Sequence, residues 1–279
     1  MDKKLVVLIG AGGKMGRRIM PNLKKFGYPF IGCEKDAEGI EALRREGVDA
    51  RVTEEAVAVG DFIIYALPDA AVPGLSKKLV PLMKPGATVI SLDPAAARAG
   101  LFHTREDCEF VVTHPCHPPL FGELETREEK DDLFGGTAAK QDIVIAPIQC
   151  GGRAFDEAET LCRHMFNPVV NCHRITVEQM AILEPAAAEI VCATCVVIMK
   201  EAVEEAVRRG VPEAAARAFL LGHIQIPLAI LFKGSNPFSD AAMVAIEYGR
   251  RNVFREDWKK VFEPEKIEEA LSEMLNVLF

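Results

Sequence analysis

The segment VVTHPCHPPLFGE, Val111–Glu123, leaves a run of β-branched residues and breaks into two histidines, a cysteine and three prolines. Imidazole titrates near neutral pH, and in its neutral form it ligates divalent ions. Pro115, Pro118 and Pro119 stiffen the backbone around the rings, which lowers the entropy lost in holding them still. His114 and His117 are therefore candidate metal ligands, candidate general acids or bases, or residues that only pack a loop. Their spacing matches neither a zinc finger nor H-E-x-x-H. Glu184 is the other candidate for catalysis or metal ligation. It precedes Pro185 inside a helical pattern, where proline deletes an amide donor, frees the carbonyl of Ala181 and kinks the chain. A carboxylate at such a kink can hold an ion or move a proton; the alternative is a solvated or capping glutamate.

A second cluster lies upstream. KLVVLIG runs into GAGGKMG, so that Gly10, Gly12, Gly13 and Gly16, with Lys14 and Met15 among them, join a strand to a helix. Glycines here allow a tight turn and let backbone N–H groups approach a pyrophosphate at a helix N-terminus. The spacing departs from G-x-G-x-x-G, because Met15 holds the last position and the final glycine falls one later. Glu34 ends the second strand, PFIGCE, where a carboxylate accepts from a ribose 2′-hydroxyl and repels a 2′-phosphate; the expected cofactor is NAD. In YALPD, which ends a further strand, Ala66, Leu67 and Pro68 are expected to line the route toward the nicotinamide.

The elements that must position these residues alternate through the first half. PFIGCE, DFIIYALP, ATVISLD, FVVTHP and DIVIAPIQ are short, apolar and separated by helical segments, the pattern of a Rossmann-type doubly wound parallel sheet buried on both faces. Ligands of such sheets bind beyond the carboxyl ends of the strands. From Thr176 the pattern turns helical, which predicts a dinucleotide-binding domain over 1–173 and an all-α substrate and dimerisation domain over 174–279. Lys140, Asp142, His223, Gln225 and Lys233 are weaker substrate candidates, and the Cys192/Cys195 pair reads as two small core residues.

Thirty-three basic residues against forty-one acidic ones give a net charge of -8, and no basic block tracks a phosphate backbone, so nucleic acid is not an expected partner. LVVLIG is too short for a signal-peptide core, and the longest apolar run, Ile190–Met199, is about half a membrane span. A cytoplasmic protein with no membrane partner is expected. The long apolar helix opening the second domain predicts a homodimer.

Taken together, the glycine turn, ALPD, THPCHPPLFGE, FGGTAAKQDIVIA and ITVEQMAILEPA resemble one family, the NAD-dependent D-apionate oxidoisomerases of the 6-phosphogluconate-dehydrogenase-like superfamily. The resemblance covers nearly the whole chain, and the histidine and EQMAILEP segments are its most specific parts. It implies an α/β domain followed by a helical one, and oxidation of the branched sugar acid D-apionate by NAD coupled to isomerisation to 3-oxo-isoapionate. A divalent ion, or hydrogen-bond donors in its place, would serve the charge shift of that isomerisation. The resemblance does not assign the residues. Two other readings stand beside it: a plain NAD(P)-dependent hydroxy-acid dehydrogenase, and a non-catalytic NAD-binding regulatory protein.

Overall fold

A computed structural model describes residues 3–276. Its first half runs β1 (Val6–Ile9), α1 (Lys14–Lys25), β2 (Phe30–Cys33), α2 (Ala37–Arg45), α3 (Thr53–Val57), β3 (Phe62–Tyr65), α4 (Val72–Leu79), β4 (Thr88–Ser91), α5 (Ala95–Arg98), β5 (Glu109–Pro115), α6 (Arg127–Asp131), β6 (Gln141–Gln149), α7 (Gly152–Met165) and β7 (Val169–Arg174). One sheet holds all seven strands in the order β2-β1-β3-β4-β5-β6-β7. Because side chains alternate along each strand, one residue set packs on each face. Leu8, Ile64, Ile90 and Val111 join Ile19 and Leu23 of α1 and Leu161 and Met165 of α7 on one side. Val7, Ile63, Val89 and Phe110 join Val57 of α3 and Val72 and Leu79 of α4 on the other. Burial of each such aliphatic side chain stabilises the fold by about 1.5–3 kcal/mol, which requires both faces to be covered.

Strands β1 to β5 are parallel, as expected of a doubly wound sheet, but β6 is antiparallel to β5, with Pro115 opposite Ile143. The parallel direction expected for DIVIAPIQ is thus corrected. The chain between these strands leaves and re-enters the sheet at one edge, so it makes no crossover. A crossover through α7 then sets β7 parallel to β6. Strand β7 is an addition to the expected set; it lies at the sheet edge, mostly exposed, and carries Asn171, His173 and Arg174 where a buried strand would be apolar.

The chain packs as two compact units, divided between Ala181 and Ile182, with Glu268 onward returning to the first. The division falls later than 173/174 because Ile175, Val177 and Met180 pack on Val112, Val144 and Ala146 of β5 and β6. The return is made by α12 (Pro264–Asn276), whose Leu271 and Leu275 are buried and whose Glu268 pairs with Arg98 at 2.9 Å; α12 follows α8 (Val177–Ala181), α9 (Thr194–Arg208), α10 (Glu213–Lys233) and α11 (Asp240–Val253).

The second unit is helical, as expected. Between α8 and α9 the chain opens around Pro185 into wide, π-type turns over Ile182–Ala193. Proline withholds one amide from the i to i−4 ladder, and widening the turns is one way a helix accommodates that loss. The helical runs Val177–Arg208 and Glu213–Lys233 are long and apolar enough to cross a bilayer by length and composition, more than the ten-residue apolar run suggested. Cys192 is exposed and Cys195 half-buried, so the pair is not a core element.

Candidate functional site

The sheet order reverses at β1, which lies between β2 and β3. The crevice at the carboxyl ends of β1 and β3 is therefore the topological switch point, and the glycine turn sits in it. Gly10 has φ +76°, and a Cβ there would lie 2.2 Å from the carbonyl oxygen of Ala66; Leu67 is the next neighbour. Ala66 and Leu67 thus line the turn from the β3 side, and Pro68 follows them in the chain. Gly12 faces the other way: a Cβ on it would meet the backbone of Gly39 in α2 at 2.3–2.6 Å, so its bareness lets α2 pack against the turn. Gly13 is exposed and begins α1 without a side-chain cap. The first N–H groups of α1, at Lys14, Met15 and Gly16, consequently point from a helix start that no side chain closes, which suits a pyrophosphate. Lys14 is exposed, while Met15 packs against the core.

Glu34 lies beside this turn. Its Oε2 accepts from Gly12 N at 3.2 Å and its Oε1 from the amides of Lys35 and Asp36 at 2.8 and 3.2 Å. Three backbone donors hold the carboxylate at the place where a ribose hydroxyl is read in this fold.

Further along the same edge stands His114, at the end of β5. Its Nδ1 donates to the carbonyl of Pro115 at 2.9 Å, which leaves Nε2 as the bare, lone-pair nitrogen. Burial pushes its pKa down to about 4, with a smaller contribution from His117. The ring is therefore neutral at physiological pH, the state required of a ligand or base. Asp93 follows β4, the neighbouring strand, and its carboxylate and the His114 imidazole offer ligand atoms within 4.8 Å of one another. One oxygen of Asp93 is oriented by the amide of Ala95 at 2.7 Å. The sequence reading passed over Asp93; the signal was an acidic residue directly after the apolar strand ATVISLD, equivalent in position to Glu34 after PFIGCE.

His117 is the chain's described non-glycine residue with positive φ, at 61°, a conformation that costs energy and persists only when its surroundings hold it. Its Nδ1 is bonded to the carbonyl of Phe134 at 2.8 Å, and the Arg18 guanidinium lies 4.5 Å from the centre of the Phe134 ring. Arg18 is on α1, so the glycine-turn helix also braces the histidine loop. The rings of His114 and His117 meet edge to face at 6.0 Å. Thr113 is fully buried and bonded to Val144 O, a structural role. Asp142 accepts from His173 at 2.8 Å and from Asn171, and with Lys140 it lines a cavity of about 520 Å³ next to His117.

In the second unit, Glu184 is half-buried in the wide-turn run, immediately before Pro185. His223 bonds to the carbonyl of Phe219 one turn back and stacks on its ring, which satisfies it locally.

A doubly wound sheet with a glycine turn at its switch point, an acidic residue after the second strand and a polar cluster beyond the fifth defines a nicotinamide-dependent oxidoreductase. Comparison with known proteins agrees with that class and narrows it. Residues 5–94 match the family model of NADP oxidoreductase, coenzyme F420-dependent, and residues 123–275 that of phosphogluconate dehydrogenase (decarboxylating), C-terminal. The chain is 42% identical to a D-apionate oxidoisomerase of Pectobacterium atrosepticum over 99% of its length and 97% of the relative's, and 42% identical to that of Blautia hydrogenotrophica over 99% and 98%. A crystal structure described as a semialdehyde dehydrogenase NAD-binding protein from Cupriavidus necator, in complex with calcium and NAD, superposes with a TM-score of 0.93 at 42% identity, covering 98% of this chain and 99% of that one. The chain belongs to the D-apionate oxidoisomerase family.

Proposed function

We propose that the protein oxidises D-apionate with NAD and rearranges the product to 3-oxo-isoapionate. The observation that carries this reading is a neutral, tautomer-fixed His114 beside Asp93 at the strand edge beyond the dinucleotide switch point, in a chain 42% identical end to end to named oxidoisomerases. The glycine turn and the start of α1 hold the pyrophosphate, and Glu34 holds the adenosine ribose. NAD supplies the hydride acceptor, and a divalent ion would be held by Asp93 and His114, and in this reading also by Glu184, and would supply the positive charge that a ketone beside an alkoxide requires. The calcium in the related structure supports the ion. An imidazole with carboxylates is a donor set that suits such a cation.

The chain's own residues then have three tasks. His117, whose Nδ1 is fixed by Phe134, presents Nε2 to take the proton of the secondary hydroxyl as hydride leaves the same carbon. That oxidation sets a ketone between the carboxylate and a tertiary alcohol. The alcohol then gives up its proton, a hydroxymethyl group moves with its bonding pair to the ketone carbon, and the former ketone oxygen takes the proton. The old alcohol carbon becomes the new ketone, so the second step is redox-neutral. Pro115 O keeps the His114 ring oriented while charge moves from one oxygen to the other.

The test is to incubate the enzyme with D-apionate and NAD and to follow NADH and the product's carbon skeleton by carbon NMR. NADH with a rearranged skeleton is expected, with loss of isomerisation on chelation and recovery with a divalent metal. NADH with an unrearranged 2-keto acid would identify a plain dehydrogenase, and no NADH a non-catalytic protein. We also propose a cytoplasmic homodimer. Supporting it, α10 exposes Phe219 (68%), Leu221, Leu231 and Phe232 (74%), a length of apolar surface that a second copy covers and that we do not assign to a bilayer.

A further inference from the structure

The helical unit holds a cavity of about 600 Å³, bounded by Val191 of the wide-turn run, Cys195 of α9, the end of α11 and the segment through Trp258. Three guanidinium groups face it, Arg250, Arg251 and Arg255, with the carboxylates of Glu247 and Glu256. Glu247 is paired with Arg250 at 3.3 Å. Arg255 uses its Nε on Asp257 at 3.3 Å, and Asp257 is shared with Lys260 at 2.8 Å. Arg251 forms no ion pair or side-chain hydrogen bond among the described residues. The protein as a whole carries -8, so this local excess of guanidinium is not a product of a basic surface.

We infer that this cavity binds a hydroxylated monocarboxylate, a sugar acid. A guanidinium fork matches a carboxylate with two parallel hydrogen bonds, and Arg251 has that fork uncommitted. Three guanidiniums against two carboxylates leave a single positive charge, which a monoanion neutralises and a phosphate dianion exceeds. Glu256 provides an acceptor for hydroxyl donors. Phe254 and Trp258 provide apolar faces for the C–H side of a polyol. The choice of a sugar acid among hydroxylated monoanions rests on the activity proposed above; the site itself does not.

Trp258 is the chain's one tryptophan, so its emission reports on this cavity alone. The full-length protein without NAD is titrated with sodium D-gluconate at constant ionic strength, with sodium phosphate and sodium chloride in parallel. A saturable emission change is expected with D-gluconate, weaker with phosphate and absent with chloride. In Arg251→Ala the Kd for D-gluconate should rise about ten-fold or more, the loss of a charge-assisted bidentate contact. Arg255→Ala provides a second reading, and circular dichroism checks that both variants fold. No saturable change with D-gluconate, tighter binding of phosphate, or unchanged Kd in both folded variants would each overturn the inference. Because no turnover is read, failure here is separable from failure of D-apionate to react.

Discussion

Three backbone amides fix the Glu34 carboxylate, so the discrimination proposed for it would be built in before any ligand arrives. Glu34→Ala should weaken NAD binding about ten-fold and bring NADP toward parity, as measured by titrating each dinucleotide. Equal affinities in the unaltered protein would remove this role. His114 carries a pH signature. In the unfolded chain its imidazole titrates near 6.5, whereas in the fold it stays neutral down to about 4. The unfolded state therefore takes the proton first, and stability held above about pH 6.5 is lost as pH falls toward 4. His114→Asn should shrink the drop in Tm between pH 7 and pH 5, and should lower kcat by on the order of 100-fold with little change in NAD affinity. An equal Tm drop in both proteins would contradict the buried neutral ring. Tyr65 offers a stability test. Its hydroxyl is buried without a hydrogen-bond partner among the described residues and burial pushes its pKa up, while its ring packs on Phe102. Tyr65→Phe should raise stability by about 1 kcal/mol in chemical denaturation; a loss would mean that the hydroxyl is satisfied.

The glycine turn shows what an element-level motif conveys and what it hides. Gly10 to Gly16 were legible as a strand-to-helix turn because glycine spacing marks backbone constraint, but not which contact each glycine serves. Gly12 is bare for the sake of Gly39, twenty-seven residues away in α2 and invisible to a local motif. Gly12→Val should thus unfold or loosen the first unit, lowering its Tm by several degrees, whereas Gly13→Ala, whose added Cβ meets only Gly10 O at 3.2 Å, should keep the fold and weaken NAD binding. The reverse pattern, measured by thermal melts and NAD titration, would reassign the two glycines. Strands β1 to β5 were readable for the same reason that they are stable: both faces are buried, so their sequences are continuous apolar runs. Strand β7 was not, because an edge strand open to water keeps no such pattern. The direction of β6 was hidden too, since strand polarity is decided by where the preceding loop ends and not by the strand's own residues.

At the scale of the molecule, α10 is apolar around most of its circumference, the property of a helix covered on several sides. Sedimentation should find a dimer at micromolar concentration, and Phe219→Glu together with Phe232→Glu should yield monomers; a monomeric unaltered protein would exclude the proposed pairing. The reversal of β6 has a different consequence. The chain from Cys116 to Lys140 departs from β5 and rejoins at the neighbouring end of β6, so it is a closed excursion with both feet on the ligand edge. Three amide bonds to Asp132, the capping box of Thr126 and Glu129, and the grip of Asn22 on Gly136 O organise it from within and from α1. Its length can change without altering the register of any strand. Replacing this one segment would therefore change the groups at the ligand edge and leave the dinucleotide-binding frame as it is.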